Sequence, residues 1–262
     1  MPEPGRRELL VEVDAGVAWL TLNRPSALNA MTEQMHGELL AACARIAADD
    51  EVRVAVLTGA GDRAFCIGSD LAFLEEALAG EDLTMFGSYL ERLNSVLFAV
   101  EELPVPTIAM VNGRARASGF ELLLCCDILM VADESKIGDV HTPYGHMPGG
   151  GATQRAVRKL GWQRGMELLF SGRWLTGPEA VAYGLALRAL PAESLRAATE
   201  ELAASFAQIP GTCLRSLKRA ALAGRDLPLR EGVQVEVETY LAYLSDSSLP
   251  RELFRDRRHA RP

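Results

Sequence analysis

The chain has 262 residues, of which 48% are hydrophobic and 24% charged. This balance is that of an ordinary globular protein that can bury a core of its own. The net charge of −8 disfavours nucleic acid and other partners held mainly through their phosphates. The most apolar segment, LLLCCDILMV, contains Asp127 and is too short to cross a bilayer. We therefore expect neither a nucleic-acid partner nor a membrane partner.

Cysteine usage and the first residues indicate the compartment. The five cysteines form no CxxC pair, which argues against a structural zinc site. Cys125 and Cys126 are adjacent in an apolar run, so we expect buried thiols in a reducing compartment. The opening segment MPEPGRRELL has no apolar stretch of signal-peptide length. These features predict a cytoplasmic protein without a metal centre.

The first part of the chain alternates between strand and helix patterns. Apolar runs and apolar residues at helical spacing predict these elements in chain order: strands Leu9–Val13 and Val17–Leu22, a helix capped by Thr32, strand Val54–Thr58, a helix starting at Asp70, helix Leu83–Val100, strand Thr107–Val111, helix Glu121–Cys126 and strand Ile128–Ala132. Because the strands are almost continuously apolar, we expect an α/β fold whose sheet is buried on both faces.

After Gly151 the pattern predicts helices alone. They cover Ala152–Leu160, Trp162–Phe170, Pro178–Tyr183, Ser194–Gln208, a run after Pro210, and Leu229–Leu244. We therefore divide the chain into an α/β core with the active site, residues 1–195, and a helical C-terminal region, residues 196–262. The helical region is expected to pack on the core or on a neighbouring subunit.

Three junctions between strands and loops could carry chemistry: GDRAFCIGSDL, VNGRARASGFELLL and GDVHTPYGHMPGGGATQR. The first two end at predicted helix starts, where free backbone N–H groups attract an anion. Two such groups from different loops could hold one carbonyl oxygen and so stabilise an enolate or a tetrahedral intermediate. The third segment adds two histidines and a tyrosine beside three consecutive glycines.

These segments and their order resemble the crotonase (enoyl-CoA hydratase/isomerase) superfamily. LTLNRPSALNAM is similar to its opening strand and loop, AFCIGSDL to its F-x-A-G-x-D-L element, and MPGGGATQRAVRKLG to its P-G-x-G-x-T-Q-R element. VNGRARASGFELLLCCDILMVAD resembles its N-G-x-x-x-G-G-G-x-E-L segment, and LTGPEAVAYGLALRALP and LFRDRR resemble its later motifs. The resemblance covers nearly the whole chain.

The resemblance implies a spiral of ββα units with a helical C-terminal trimerisation region. It also implies a homotrimer or a homohexamer, and an enzyme that acts on a small-molecule acyl thioester or related carbonyl compound. Coenzyme A, where it is used, would be part of the substrate, and no other cofactor is expected. The oxyanion donors would be the backbone N–H groups of Ser69 and Ser118, where the superfamily usually has Ala or Gly and Gly. The alternative is that both serines are caps or turn residues.

Hydratases of the superfamily hold a water molecule between two glutamates. Glu121 occupies the place of the first, unless it is a salt-bridged structural carboxylate, and His141 occupies the place of the second. Histidine is suited to taking a proton from water near neutral pH. Asp139 and Tyr144 are possible assisting groups, whereas we expect His146 to be a surface or packing residue.

Three functions remain open at this point. The leading one is an enoyl-CoA hydratase- or dehydratase-like lyase that stabilises an enolate, with Glu121 and His141 as its acid–base pair. The second is hydrolytic C–C cleavage of a β-diketone by water that His141 activates. The β-diketone hydrolases resemble this chain in their histidine but have an acid where Gly150 stands. The third is a homologue that binds acyl-CoA without turning it over.

Overall fold

Nine strands form two sheets in the computed structural model, which describes residues 7–79 and 82–246. The larger sheet has the order β1-β2-β3-β5-β7-β9, in which the β1–β2 pair is antiparallel and every other pair is parallel. Its strands are β1 (Leu9–Asp14), β2 (Val17–Leu22), β3 (Val54–Gly59), β5 (Thr107–Val111), β7 (Ile128–Ala132) and β9 (Arg188–Leu190).

The smaller sheet is the part of the fold that positions the site. Its three parallel strands are β4 (Ala64–Cys66), β6 (Arg114–Arg116) and β8 (Ile137–Gly138), in the order β4-β6-β8. The carboxyl ends of parallel strands lie at one edge of a sheet, so the loops that follow these three strands meet there. The segments that follow these strands contain the two serines, Asp139 and His141 of the predicted site. The sequence did not predict these strands, because two or three residues are too few to show a period.

The described part of the chain contains ten helices. They are α1 (Glu33–Ala48), α2 (Leu71–Leu78), α3 (Thr84–Glu101), α4 (Ser118–Leu124), α5 (Ala152–Leu160), α6 (Trp162–Ser171), α7 (Gly177–Tyr183), α8 (Ala192–Ala207), α9 (Gly211–Gly224) and α10 (Leu229–Asp246). Thr32 caps α1 as predicted, because its side chain accepts from the N–H of Met35 at 3.1 Å. The expectation of helices alone after Gly151 is wrong at β9, which pairs with β7.

The predicted α/β class and the burial of both sheet faces are confirmed. In β3, Ala55 and Leu57 face the main core, whereas Val54 and Val56 face a second cluster that α8 covers. The predicted boundary between residues 195 and 196 falls within α8, and the division into two regions stays a prediction. The superfamily-like LFRDRR segment lies outside the described residues.

Four of the five cysteines are buried, and Cys213 is partly exposed. Among the described helices, none combines the length and the apolar character that crossing a bilayer requires.

His36 is a polar side chain in the core for which the described residues provide no hydrogen-bond partner. It is fully buried on α1, and neither ring nitrogen bonds to a group in the described part of the chain. Burial, with a smaller contribution from the charge of Arg92, lowers its pKa from 6.5 to about 4. The folded state therefore disfavours the protonated ring.

We expect the histidine at position 36 to make folding sensitive to acid. The neutral ring is present in both states above pH 6.5, and below that pH only the unfolded state binds the proton readily. The free energy of unfolding should fall by about 3 kcal/mol as the pH drops from 6.5 to 4. Urea unfolding across this pH range should show a smaller fall in the free energy of unfolding for His36→Met than for the wild type. The carboxylates titrate equally in both proteins, so the difference between them reports the ring at position 36. Parallel curves would contradict this account.

Candidate active site

A cavity of about 650 Å³ lies where the loops after β4, β6 and β8 meet α2 and α3. Most of its wall is apolar and comes from Leu71, Leu74, Leu78, Phe86, Leu90 and Leu93. Its polar groups include Ser69, Tyr89, Arg116, Ser118, His141, Tyr144 and His146. The cavity can therefore surround an apolar group and present hydrogen-bonding groups along one side.

The backbone N–H groups of Ser69 and Ser118, two residues that line this cavity, have no partner in the part of the chain that the structure describes. The Ser69 loop is held on both sides, since the Met31 N–H donates to Gly68 at 2.8 Å and the Asp70 N–H donates to Met31 at 2.9 Å. Ser118 begins α4, where a helical N–H has no partner in the preceding turn. Within the described residues, neither serine N–H has an acceptor.

Close packing brings these two loops together. A side chain at Gly119 would overlap the carbonyl of Cys66, so glycine allows α4 to lie directly against β4. The hydroxyl oxygens of Ser69 and Ser118 are 2.9 Å apart. The structure thus brings together the two residues that the sequence pairs as oxyanion donors.

Ala117 turns the chain into α4 with strained backbone angles. Its φ of 48° and ψ of −125° lie in a region that favours glycine. Such a conformation costs an alanine on the order of 1–3 kcal/mol, and the surrounding fold must compensate for it. The strain lies one residue before the N–H of Ser118.

We expect Ala117→Gly to raise the free energy of unfolding by about 1 kcal/mol. The relieved strain should exceed the additional unfolded-state entropy of glycine, which costs about 0.4–1 kcal/mol. Urea unfolding measures the change, and Ala197→Gly, in the exposed middle of α8, is the matched control. The control should lose about 1 kcal/mol. Equal losses in both variants would show that position 117 is unstrained.

Glu121 lies on α4 and is only 1% exposed. Its Oε1 accepts hydrogen bonds from the N–H groups of Gly150, at 2.7 Å, and Ala152, at 3.2 Å. No described cation forms a salt bridge with it, so the alternative of a salt-bridged carboxylate does not hold in the described residues. Burial, opposed by these hydrogen bonds and by the charge of His141, raises the pKa of Glu121 to about 7. Both protonation states are therefore accessible near neutral pH.

The turn that holds Glu121 is itself fixed. Arg155 donates to the carbonyl of Gly150 at 2.9 Å and forms an ion pair with Glu101 at 2.8 Å. A side chain at Gly150 would overlap the carboxylate of Glu121. With Glu121 in this position, an acidic residue does not fit at position 150.

Asp139 and His141 form a second pair, of which His141 lines the cavity. The Nδ1 of His141 is 3.0 Å from Oδ2 of Asp139, which is fully buried. Val140 between them has a φ of 57°, a value that a β-branched residue rarely adopts. This turn brings the ring back onto the carboxylate. Because Nδ1 contacts Asp139, the hydrogen bond favours the tautomer that leaves Nε2 as the acceptor.

The surroundings of His141 favour its protonated form. Burial lowers the pKa, but the hydrogen bond and charge of Asp139 and the charge of Glu121 outweigh burial, so the pKa of His141 is raised. The charge of Arg116 opposes this shift. Since His141 and Glu121 each change the pKa of the other, they titrate as a coupled pair.

Two other predicted residues lie at the rim of the cavity. Tyr144 is 68% exposed and belongs to the short 3₁₀ turn Thr142–Tyr144. His146 is exposed as well, and both side chains line the opening. Tyr89 was missed by the sequence analysis, because a tyrosine in the apolar stripe of α3 has the pattern of an ordinary core residue.

A smaller cavity of about 310 Å³ adjoins the first. Its walls include the cations Arg114, Arg116 and Lys136 and the indole of Trp174. Arg116 and Ile67 line both cavities, so the two are neighbours. Among the described residues, no group of three or more His, Cys, Asp or Glu side chains is arranged to hold a metal ion.

The sequence profile of the enoyl-CoA hydratase/isomerase family matches residues 12–259. The chain belongs to this family. It is therefore an enzyme of the crotonase superfamily, as the sequence motifs predicted, and its α/β fold is the crotonase fold.

Relatives within the enoyl-CoA hydratase/isomerase family support this placement. A probable enoyl-CoA hydratase of Mycobacterium bovis is 32% identical over 228 residues, which cover 87% of this chain and 86% of the relative. The (E)-benzylidenesuccinyl-CoA hydratase of Thauera aromatica is 30% identical and covers 85% of both chains. The crystal structure of an enoyl-CoA hydratase from Bacillus anthracis superposes with a TM-score of 0.90, at 30% identity and 97% coverage of both chains.

Proposed function

We propose that this enzyme adds water to the double bond of an enoyl-CoA, or removes it in the reverse direction. The backbone N–H groups of Ser69 and Ser118 hold the thioester oxygen, and Glu121 and His141 transfer the protons. The observation that carries the proposal is a pair of N–H groups, without a partner among the described residues, at the cavity that His141 also lines. Such preorganised donors stabilise negative charge that develops on an acyl oxygen.

The proposed hydration uses each group once. Nε2 of His141 takes a proton from water as the water oxygen bonds to Cβ of the substrate. The electron pair of the double bond moves toward the carbonyl and places negative charge on its oxygen, between the two serine N–H groups. Protonated Glu121 then gives its proton to Cα, which restores the thioester. His141 ends protonated and Glu121 ionised, and proton exchange with solvent resets the pair.

The two cavities support a coenzyme A thioester as the substrate. The leucines and Phe86 suit an apolar acyl group in the larger cavity. The smaller cavity presents Arg114, Arg116 and Lys136, which suit the phosphates of coenzyme A. Coenzyme A is then part of the substrate, and the proposal requires no other cofactor.

Hydrolytic C–C cleavage of a β-diketone is a second candidate, because the Asp139–His141 pair could activate water for attack on a carbonyl. The packing at Gly150 weighs against it. The β-diketone hydrolases have an acid at this position, and here Glu121 occupies the space that such a side chain needs. We therefore place hydration first.

Incubation in H₂¹⁸O with a panel of enoyl-CoA esters and β-diketones tests the function. Mass spectrometry should find one ¹⁸O in a hydroxyacyl-CoA product whose thioester is intact. A β-diketone consumed with ¹⁸O in a new carboxylate would favour C–C hydrolysis instead. Saturable binding of acyl-CoA without turnover would contradict both and favour a binding protein.

We also propose a cytoplasmic homotrimer or homohexamer, with residues 196–262 as the helical region that assembles it. Exposed apolar side chains on α9 and α10 support an association surface: Leu217, Leu229, Val233, Val237 and Leu241. Given the net charge of −8, the proposal includes no nucleic-acid partner and no membrane partner.

A further inference from the structure

Three hydroxyl groups form a chain along the wall of the larger cavity. The Tyr89 hydroxyl donates to Oγ of Ser69, and Oγ of Ser69 lies 2.9 Å from Oγ of Ser118. All three residues line the cavity. The two serines are also the residues whose backbone N–H groups are the proposed oxyanion donors. The chain therefore runs beside the expected position of the acyl oxygen.

These three hydroxyl groups carry one hydrogen more than the hydrogen bonds between them require. Three hydroxyl groups carry three hydrogens, and the two bonds between them consume two. The bond between the two serines can run either way, but a hydroxyl that accepts a hydrogen bond becomes a better donor, so acceptance from Tyr89 favours donation from Ser69 to Ser118. In that arrangement the chain of bonds leaves the hydrogen of the Ser118 hydroxyl unused among the described residues. In the described residues, the Ser118 hydroxyl has no other partner. Ser118 thus presents an N–H and an O–H to the same cavity.

Packing holds Tyr89, the first donor in this series of hydroxyl groups, in place. Tyr89 is 3% exposed, and its ring lies 4.9 Å from the ring of Phe73 and 5.5 Å from that of His36. Burial raises the pKa of Tyr89, so its hydroxyl stays protonated and donates. Its donated hydrogen bond fixes Ser69, which in turn orients Ser118.

We propose that the Ser118 hydroxyl is a third hydrogen-bond donor to the acyl oxygen of the substrate. Ser69 and Tyr89 are positioning residues that aim this hydroxyl. The inference rests on the proposed function, because it assumes that the acyl oxygen binds between the two backbone donors. It adds a side-chain contact that the Ala or Gly usual at these positions in the superfamily does not supply.

Ser118→Ala removes the hydroxyl and keeps the backbone N–H. We expect kcat for an enoyl-CoA to fall about 10- to 100-fold with KM changed less than about threefold, since the third donor acts mainly on the charged oxygen. Tyr89→Phe should have a smaller effect. The double variant Tyr89→Phe/Ser118→Ala should be no slower than Ser118→Ala alone. Tyr89 acts only by orienting the Ser118 hydroxyl, and that hydroxyl is absent once Ser118 is alanine. Ser95→Ala, an exposed serine of α3 that donates to Glu91, is the matched control.

A second measurement separates this inference from the proposed function. Isotope-edited infrared difference spectra of an enoyl-CoA labelled with ¹³C at the thioester carbonyl report the hydrogen bonds that its oxygen receives. A red shift on binding that is smaller in Ser118→Ala than in the wild type supports the third donor, whether or not water is added. Equal frequencies in the two proteins, or no shift in the wild type, overturn it.

Discussion

Glu121→Gln is expected to reduce kcat by about 10²- to 10⁴-fold, the usual contribution of a general acid or base. The amide oxygen can still accept from the N–H groups of Gly150 and Ala152, so the turn around it should keep its shape. The amide is too weak an acid to protonate Cα in the proposed mechanism, so the chemical step should fail while binding persists. Steady-state kinetics with an enoyl-CoA should show a large fall in kcat and a small change in KM.

Stability supplies the control for this variant. The pKa of Glu121 is raised from 4.5 to about 7, so the folded state loses stability as the pH rises through this interval. The ionised carboxylate should cost about 3 kcal/mol above pH 7. Glu121→Gln should then be at least as stable as the wild type at pH 8. Glu193→Gln, on the exposed start of α8, should change neither property. If Glu121→Gln retains kcat within about threefold, Glu121 is not the proton donor.

His141→Ala alone is also expected to reduce kcat by about 10²- to 10⁴-fold relative to the wild type. In the proposed mechanism this ring takes the proton from water, and no other described base bonds to Asp139. His146→Ala should cost far less, because that ring lies exposed at the rim. Equal losses in the two variants would assign His141 a structural role.

The pH dependence of kcat/KM should show in which direction Asp139 shifts the pKa values of His141 and Glu121. The proposed mechanism requires neutral His141 and protonated Glu121, so kcat/KM should fall in acid as His141 is protonated and in alkali as Glu121 ionises. The Asp139 charge raises the pKa of both groups. Asp139→Asn should therefore move both limbs of the profile to lower pH. A shift of either limb to higher pH would contradict the arrangement.

The long helices and strands could be predicted because each contains enough residues to show a periodic or apolar pattern. α3 and α10 each show several turns of a helical pattern, and the strands of the large sheet are apolar runs. The small sheet could not be predicted in this way, although its three strand ends carry the site. The site residues came from motif resemblance, and the structure brings Ser69 to Ser118 and Asp139 to His141.

The sequence could not provide the contacts and backbone angles that the folded chain imposes. The hydrogen bond from Tyr89 to Ser69 joins α3 to a loop twenty residues away. The contact between Asp139 and His141 depends on the positive φ of Val140, a backbone conformation that valine disfavours. The exclusion of a side chain at Gly150 depends on where α4 places Glu121. Each of these is a property of tertiary packing and has no local pattern.

A crystal structure of the Glu121→Gln variant with an enoyl-CoA would test the central claim most directly. The predicted result is a thioester oxygen within about 3.1 Å of the backbone nitrogens of both Ser69 and Ser118, with Cβ facing the ring of His141 and Cα facing residue 121. An acyl oxygen bound away from both nitrogens, or a ring of His141 turned out to solvent, would contradict it.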